Sequence, residues 1–165
     1  MNLIFLSLIL TACKKNQSVE SAGDPGYAVT TAQPGAMPAH VERMMANFER
    51  VHFDTDSSTL NEESKNALAR NAKIMVEHPD LTIEVQGHCD ERGTTEYNIA
   101  LGDRRAAAVR ETLISQGVAP SRINAVSYGE EMPLAKGAAE EAWSQNRRAE
   151  FRVTWDDGAV AGTVQ

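Results

Sequence analysis

The sequence has no excess of positive charge, and this absence limits the kind of partner it can hold. Its 165 residues include 16 Lys and Arg against 23 Asp and Glu, which gives a formal net charge of -7. An acidic surface repels phosphate backbones, so no nucleic-acid partner is expected. Any ligand must therefore be held by a few local groups. With 42% hydrophobic and 24% charged residues, the composition is typical of a soluble protein with one packed domain.

The sequence also lacks an apolar run long enough to cross a bilayer, which takes about 20 residues. The uncharged run from Leu3 to Ala12 has instead the size of the apolar region of a secretory signal peptide. The stretch Leu10-Thr11-Ala12-Cys13 resembles the lipobox of bacterial lipoproteins. That resemblance implies removal of residues 1–12 and a diacylglycerol anchor on the thiol of Cys13. The alternative is an ordinary signal peptide followed by a chance cysteine.

Cysteine is scarce, since the chain contains 2, Cys13 and Cys89. Lipidation of Cys13 would leave a single thiol, so no intrachain disulfide is expected even in an oxidising compartment. Lys14 follows Cys13 directly. By the rule known for enteric lipoproteins, a lysine at this position is compatible with delivery to the outer membrane.

The segment that follows the lipobox has little that could form a core. Residues 14–40 contain three of the 6 prolines and few apolar side chains. This composition is typical of a disordered linker. A coil of this length would average roughly 30 Å from end to end. Residues 13–40 are therefore predicted to be a lipidated cysteine and a flexible tether.

Beyond residue 40 the hydrophobic pattern predicts regular structure. Thr59 and Glu62 match the two ends of a capping box, which predicts that a helix begins there. Its apolar face runs to Val76, and Pro79 ends it. Strict alternation of apolar and polar residues predicts strands, most clearly over 149–155.

The predicted order of elements is β-α-β-α-β-(α)-β, preceded by one short amphipathic helix. It implies a two-layer α/β sandwich: one mixed sheet of about four strands with two main helices on one face. The domain is expected to span residues 41–155, and residues 156–165 are expected to be a frayed tail. The successive elements are predicted at about 41–48, 51–54, 60–76, 81–86, 94–116, 123–128, 138–143 and 149–155.

The loop after the strand at 81–86 concentrates reactive side chains. A zinc site is disfavoured because His88 and Cys89 are adjacent and so point to opposite faces of an extended chain. A thiol enzyme would need a distant base such as His52 or His40. The pattern favours a plainer interpretation, in which Cys89 is a small buried residue and His88 bonds to backbone.

The charged residues of this loop suggest a different use. Asp90 follows the strand end, Gly93 permits a tight turn, and Thr94 and Thr95 are candidate helix caps. In the helix, Asn98 and Arg105 are two turns apart and share a face, whereas Arg104 is turned toward solvent. Two interpretations remain open on this basis: an Asp90–Arg105 salt bridge that joins loop to helix, or a pocket for a small charged ligand.

The stretch GHCDERGTTEYNIALGDRRAAAV, residues 87–109, resembles the signature of OmpA-like peptidoglycan-binding domains, and among them the peptidoglycan-associated lipoproteins. The stretch VHFDTDSSTL at 51–60 is similar to the same family. So are Ser127-Tyr128-Gly129 with Pro133, and Asn146-Arg147-Arg148-Ala149. The similarity runs from about Val51 to Val153, with the motifs in the family's order.

This resemblance implies that the ligand is the diaminopimelate residue of the peptidoglycan stem peptide. Asp90 matches the aspartate that takes the ligand's ammonium, and Arg105 the arginine that takes its carboxylate. Both residue types suit these roles. Phe53 is expected to pack beneath the pocket. The remaining positions that the resemblance places around the pocket or at its rim are Asn98, Thr55, Asp56, Arg147 and Arg148.

The resemblance further implies an outer-membrane lipoprotein whose periplasmic domain binds peptidoglycan without catalysis or a cofactor. Its implied partners are TolB and TolA of the Tol–Pal system. Glu130 and Glu131 stand where the family often has Lys after Tyr-Gly, and this loop is expected to stay clear of the pocket. One alternative is an OmpA-like lipoprotein of another envelope machine, such as a secretion system. The other is a hydrolase or thiol enzyme that uses His88 and Cys89.

Overall fold

The computed structural model describes residues 39–155 and 159–163. The predicted signal segment, Cys13 and the tether up to residue 38 lie outside the described residues. Within the part that is described, no helix combines the length and the apolar character needed to cross a bilayer. The elements are α1 Ala39–Met45, β1 Val51–His52, α2 Glu62–Glu77, β2 Leu81–His88, α3 Thr95–Ser115, a 3-10 turn Pro120–Arg122, β3 Ile123–Gly129, α4 Glu140–Asn146, β4 Arg148–Trp155 and β5 Ala159–Thr163.

The strands form one mixed sheet in the order β1-β4-β2-β3. The central strand β2 is antiparallel to β4, with Val85 opposite Phe151. It is parallel to β3, with Ile83 opposite Ile123. A parallel pair needs a crossover connection, which here is α3. This arrangement confirms the predicted α/β sandwich with a mixed sheet.

The expected frayed tail is wrong for Ala159–Thr163, which form β5. This strand pairs antiparallel with β4 along Arg152 to Trp155. The first strand β1 occupies the same edge of β4 only at Arg148 and Ala149. The rest of that edge therefore has free backbone groups, and a following segment of any composition can satisfy them.

Two helix starts also differ from the predicted positions. The cap of α2 is Asn61, whose side chain accepts from the backbone N–H of Ser64 at 2.8 Å. Thr59 lies in the preceding turn, where its N–H donates to the hydroxyl of Ser57. Asparagine caps at least as well as threonine and stands nearer the apolar stripe, so the helix begins later than expected. The first helix α1 begins at Ala39, inside the predicted tether.

The core lies between the helices and one face of the sheet. Alternation along β2 and β4 sends Ile83, Val85, Phe151 and Val153 to this face. The rings of Phe48 and Phe151 meet there with centroids 5.8 Å apart. The other members of this cluster are Val41, Met44, Val51, Phe53, Leu68, Ala72, Met75, Leu81, Ala106, Val109, Leu113, Val118, Ile123 and Ala149.

Two glycines bring α3 unusually close to the sheet. A Cβ placed on Gly87 of β2 would lie 2.0 Å from the carbonyl oxygen of Gly102 in α3. A Cβ on Gly102 would lie 2.9 Å from the carbonyl oxygen of Gly87. Backbone touches backbone here, with no room for a side chain. This contact holds the end of β2 against α3 and so sets the spacing of the groups that follow each element.

Candidate functional site

A pocket of about 220 Å³ lies where β2 ends and α3 begins. Two of its walls come from these elements, and the loop after β1 supplies a third. Five of the residues predicted from the resemblance line it: Asp90, Arg105, Asn98, Thr55 and Asp56. The other lining residues are Cys89, Arg92, Gly93, Tyr97 and Leu101.

The turn into α3 orients one wall of this pocket. Gly93 has φ +111°, a conformation that favours glycine. Thr94 then caps the helix by accepting from the N–H of Tyr97 at 3.2 Å. With the helix start fixed, Asn98 and Arg105 face the pocket from positions two turns apart, as their spacing predicts.

Asp90 is a buried carboxylate surrounded by cations. Its oxygens accept from Arg92 Nε at 3.0 Å, Arg92 Nη2 at 2.7 Å and the Arg92 backbone N–H at 3.1 Å. Arg147 Nη1 donates a further bond of 3.3 Å. Burial by itself would raise the pKa of Asp90, but the hydrogen bonds from Arg92 and then Arg147 outweigh it and hold this pKa below its usual value. Asp90 is therefore ionised, with all of its roughly four acceptor positions engaged.

Arg105 is fully buried and holds three backbone carbonyls. Nη1 donates to His88 O at 2.7 Å, Nε to Ser57 O at 2.8 Å and Nη2 to Asp54 O at 3.1 Å. A longer contact joins Nη1 to the sulfur of Cys89 at 3.5 Å. Of the five N–H groups of the guanidinium, the one left for a ligand is on Nη2. The ring of Phe53 lies 5.1 Å below the guanidinium carbon, in the place expected for it.

The structure contains no Asp90–Arg105 salt bridge between these described residues, so that interpretation of the sequence is wrong. The carboxylate of Asp90 is instead paired with Arg92 and Arg147. Arg105 is anchored by two carbonyls of the loop after β1 and one at the end of β2. Each charge therefore faces the pocket with its own fixed partners.

The two arginines predicted for the rim lie in different places. Arg147 does not line the pocket but bonds to Asp90, which does, and it also donates to Phe53 O at 3.2 Å. Arg148 does not line the pocket. It is paired with Glu150 at 3.0 Å on the sheet face opposite the core. Neighbouring residues at the start of a strand diverge in this way.

Arg92 and Tyr97 are pocket residues that the sequence did not single out. The Tyr97 hydroxyl hydrogen-bonds the carboxylate of Asp56. The Arg92 guanidinium stacks 4.2 Å from the ring centroid of Trp143. Tyr97 could have been found, because it precedes Leu101 and Arg105 by one and two helical turns on one face. Arg92 could not, because spacing does not reveal which way a loop side chain turns.

Glu130 also reaches the site. Its carboxylate accepts from the amide of Asn98 and, at 3.0 Å, from the hydroxyl of Thr95. As expected, this loop does not line the pocket, but Glu130 contacts it indirectly through Asn98.

His88 and Cys89 point to opposite sides, as adjacent strand residues should. The Cys89 thiol donates to Asn98 O at 3.3 Å, and burial raises the pKa of this thiol. Neither ring nitrogen of His88 has a hydrogen-bond partner among the described residues, so the expected bond to backbone is wrong. Its ring stacks on Tyr128 with centroids 5.5 Å apart. Across residues 39–155 and 159–163 no three potential metal ligands cluster.

The burial of His88 predicts a pH-dependent stability. Burial, with Arg148 and Arg50 nearby and Glu150 opposing them, lowers the pKa of His88 to about 4. In the unfolded chain this pKa is about 6.5, so below pH 6.5 the unfolded state takes up a proton that the folded state refuses. The free energy of unfolding should be unaffected above pH 6.5 and lose about 2–3 kcal/mol by pH 4.5.

Urea unfolding of the wild type and of His88→Phe at pH 7 and pH 4.5 measures this loss. Carboxylates titrate in both proteins. The change in the free energy of unfolding between pH 7 and pH 4.5 should therefore differ between the two proteins only by the contribution of His88. Equal pH dependence in both proteins would contradict the assignment.

Comparison with known proteins agrees with this fold. The sequence profile of the OmpA family matches residues 52–147. The peptidoglycan-associated lipoprotein of Brucella melitensis is 40% identical over 147 residues, which cover 88% of this chain and 86% of that protein. The crystal structure of the peptidoglycan-associated lipoprotein from Burkholderia pseudomallei has a TM-score of 0.62 at 44% identity and covers 64% of this chain and 89% of that one. The C-terminal domain of Helicobacter pylori MotB has a TM-score of 0.61 at 27% identity, covering 66% and 86%. The chain belongs to the OmpA family.

Proposed function

We propose that the pocket binds the diaminopimelate residue of a peptidoglycan stem peptide, without covalent chemistry. The observation that carries this proposal is that one pocket of about 220 Å³ is lined by a buried carboxylate and a buried guanidinium, Asp90 and Arg105. The side chain of diaminopimelate ends in a carbon that bears an ammonium and a carboxylate. Asp90 takes the ammonium, and the remaining N–H on Nη2 of Arg105 takes the carboxylate.

The chemistry of the site supports a modest affinity. Two charge-assisted hydrogen bonds contribute roughly 3–6 kcal/mol before two costs are subtracted, the ordering of the ligand and the displacement of an arginine from Asp90. A single site would then bind in the micromolar-to-millimolar range. Many tethered copies that face a polymeric wall would still hold it firmly, because each bound copy raises the effective concentration of the next.

The names of its relatives support a role for the whole chain as a lipoprotein that joins membrane and wall. In this proposal Cys13 carries the lipid anchor in the outer membrane, and residues 13–38 connect it to the periplasmic domain. The domain would act without catalysis within the Tol–Pal system, with TolB and TolA as partners. A second candidate function is that of a lipoprotein of another envelope machine. It is favoured by Glu130 and Glu131, which give a negative charge to a loop where the family often has Lys, and so change a surface that could contact protein partners. Crosslinking in cells to Tol proteins distinguishes the two.

Asp90→Asn tests the binding site directly. The substitution keeps the shape of the side chain but removes the charge that holds the ammonium. Affinity for a diaminopimelate-containing stem peptide should fall roughly 10- to 100-fold, the worth of one charge-assisted bond. Isothermal titration of the full chain in detergent measures it.

Two controls sharpen this test. Asp103→Asn makes the same chemical change at an exposed position of α3 and should bind as the wild type does. A lysine-containing stem peptide lacks the carboxylate proposed for Arg105 and should bind far more weakly. If the wild type bound both peptides equally, or if Asp90→Asn bound like the wild type, the proposed function would be wrong.

A further inference from the structure

The orientation of Asn98 in the pocket is determined by its hydrogen bonds. The residue is 2% exposed. Its amide nitrogen donates to Arg92 O at 3.1 Å, to Asp90 O at 3.4 Å and to a carboxylate oxygen of Glu130. All three neighbours are oxygens, so the reversed amide would place oxygen against oxygen. The nitrogen therefore points at the loops, and the amide oxygen is the atom that remains for a ligand.

Glu130 is the strongest of the three acceptors. It carries a full charge, and charge-assisted hydrogen bonds are about twice as strong as neutral ones. The two carbonyls, at 3.1 Å and 3.4 Å, share the second hydrogen of the amide nitrogen. Removal of the Glu130 carboxylate would free one amide hydrogen and loosen the side chain.

The position of Glu130 is itself fixed by the fold. Gly129 before it has φ +50°, and its carbonyl accepts from Cys89 N–H at 2.7 Å. A Cβ on Gly129 would lie 3.0 Å from Ile99, so the chain runs directly against the first turns of α3. The Glu130 carboxylate lies beside Thr95, at the helix N-terminus, where the dipole stabilises an anion. It does not line the pocket itself.

We propose that Glu130 is a positioning residue, which turns the amide of Asn98 so that its oxygen accepts from the ligand's ammonium alongside Asp90. The inference rests on the proposed function and adds to it. It assigns the ammonium a second acceptor and gives the loop after β3 a part in ligand selection. Ligands with a donor at that position are favoured over isosteric ligands without one.

Three variants test the proposal by titration with the diaminopimelate-containing stem peptide. Glu130→Ala removes the acceptor and should weaken binding about 5- to 10-fold, the worth of one ordinary hydrogen bond. Glu130→Gln keeps an acceptor oxygen without the charge and should stay within about twofold of the wild type. In an Asn98→Ala background, Glu130→Ala should cause no further loss.

Each other outcome overturns the proposal. If Glu130→Gln binds as weakly as Glu130→Ala while the side-chain amide hydrogens of Asn98 still exchange slowly in Glu130→Gln, the carboxylate acts by its charge and not by orienting Asn98. If Glu130→Ala weakens binding equally in both backgrounds, its effect does not pass through Asn98. Urea unfolding of every variant shows whether a loss of affinity merely follows a loss of stability.

A readout without ligand separates this inference from the proposed function. In NMR spectra, the side-chain amide hydrogens of Asn98 should exchange slowly in the wild type and in Glu130→Gln, and faster in Glu130→Ala. If this pattern holds while no stem peptide binds the wild type, the positioning of Asn98 stands and the ligand assignment fails. If exchange is the same in all three proteins, the positioning itself is refuted.

Discussion

Arg105→Ala is expected to cost about 3–5 kcal/mol of the free energy of unfolding and to abolish binding as well. The substitution removes the guanidinium donors from three backbone carbonyls, those of Asp54, Ser57 and His88, of which Asp54 O keeps one bond, from the N–H of Ser57 at 3.3 Å. Each unsatisfied buried acceptor costs about 1–3 kcal/mol. A typical domain has only about 5–15 kcal/mol to lose. Urea unfolding followed by circular dichroism measures the change.

Arg104→Ala is the matched control for this result. Arg104 is the neighbouring residue of α3 and is exposed, with its guanidinium carbon 5.9 Å from the ring of Tyr97. Its removal should change stability by less than about 1 kcal/mol. If Arg105→Ala were as stable as Arg104→Ala, the three hydrogen bonds from Arg105 to backbone carbonyls would not contribute to the stability of the fold. Because Arg105 is structural as well as ligand-facing, Asp90→Asn is the cleaner probe of binding.

Gly87→Ala is expected to cost at least about 3 kcal/mol, at the upper end of what overpacking costs, or to prevent folding. The added Cβ would lie 2.0 Å from Gly102 O, which is backbone in the middle of α3 and cannot rotate away. The helix would have to lift from the sheet, and the pocket between them would open. Thermal unfolding together with stem-peptide titration measures both effects.

Gly117→Ala separates this clash from the general cost of replacing a glycine. Gly117 has φ +99°, but the nearest atom to its added Cβ, on Val76, is 3.8 Å away. That substitution should cost about 1–2 kcal/mol, from backbone strain alone. Equal losses in the two variants would show that the contact between α3 and β2 has room to spare.

The elements with a strong hydrophobic periodicity could be predicted from the sequence. An element that forms only because another strand leaves an edge of the sheet unpaired could not. Alternation over 149–155 and 81–86 placed β4 and β2, because burial of one face leaves a strand no other register. The strand β5 has no such pattern. It forms because β1 leaves most of one edge of β4 open, and no local signal reports an open edge elsewhere in the chain.

The same distinction holds at the pocket. Helical spacing was enough to place Asn98 and Arg105 on one face. The partner of Asp90 was not predictable, because Arg92, Arg105 and Arg147 all lie within reach of the loop. Arg105 does not pair with Asp90 because its guanidinium is already bonded to three backbone carbonyls, those of Asp54, Ser57 and His88. Which charges pair therefore depends on neighbouring groups such as these carbonyls, and the spacing of residues along the chain does not reveal them.

Asp90 enters any complex with its acceptor positions already occupied by Arg92 and Arg147. An arriving ammonium must therefore trade places with a guanidinium, and Arg92 is the more accessible of the two, at 38% against 8% exposed. Such a swap breaks one ion pair as it makes another. The number of counterions taken up or released barely changes, so the strength of the grip should depend little on the ionic strength around the wall.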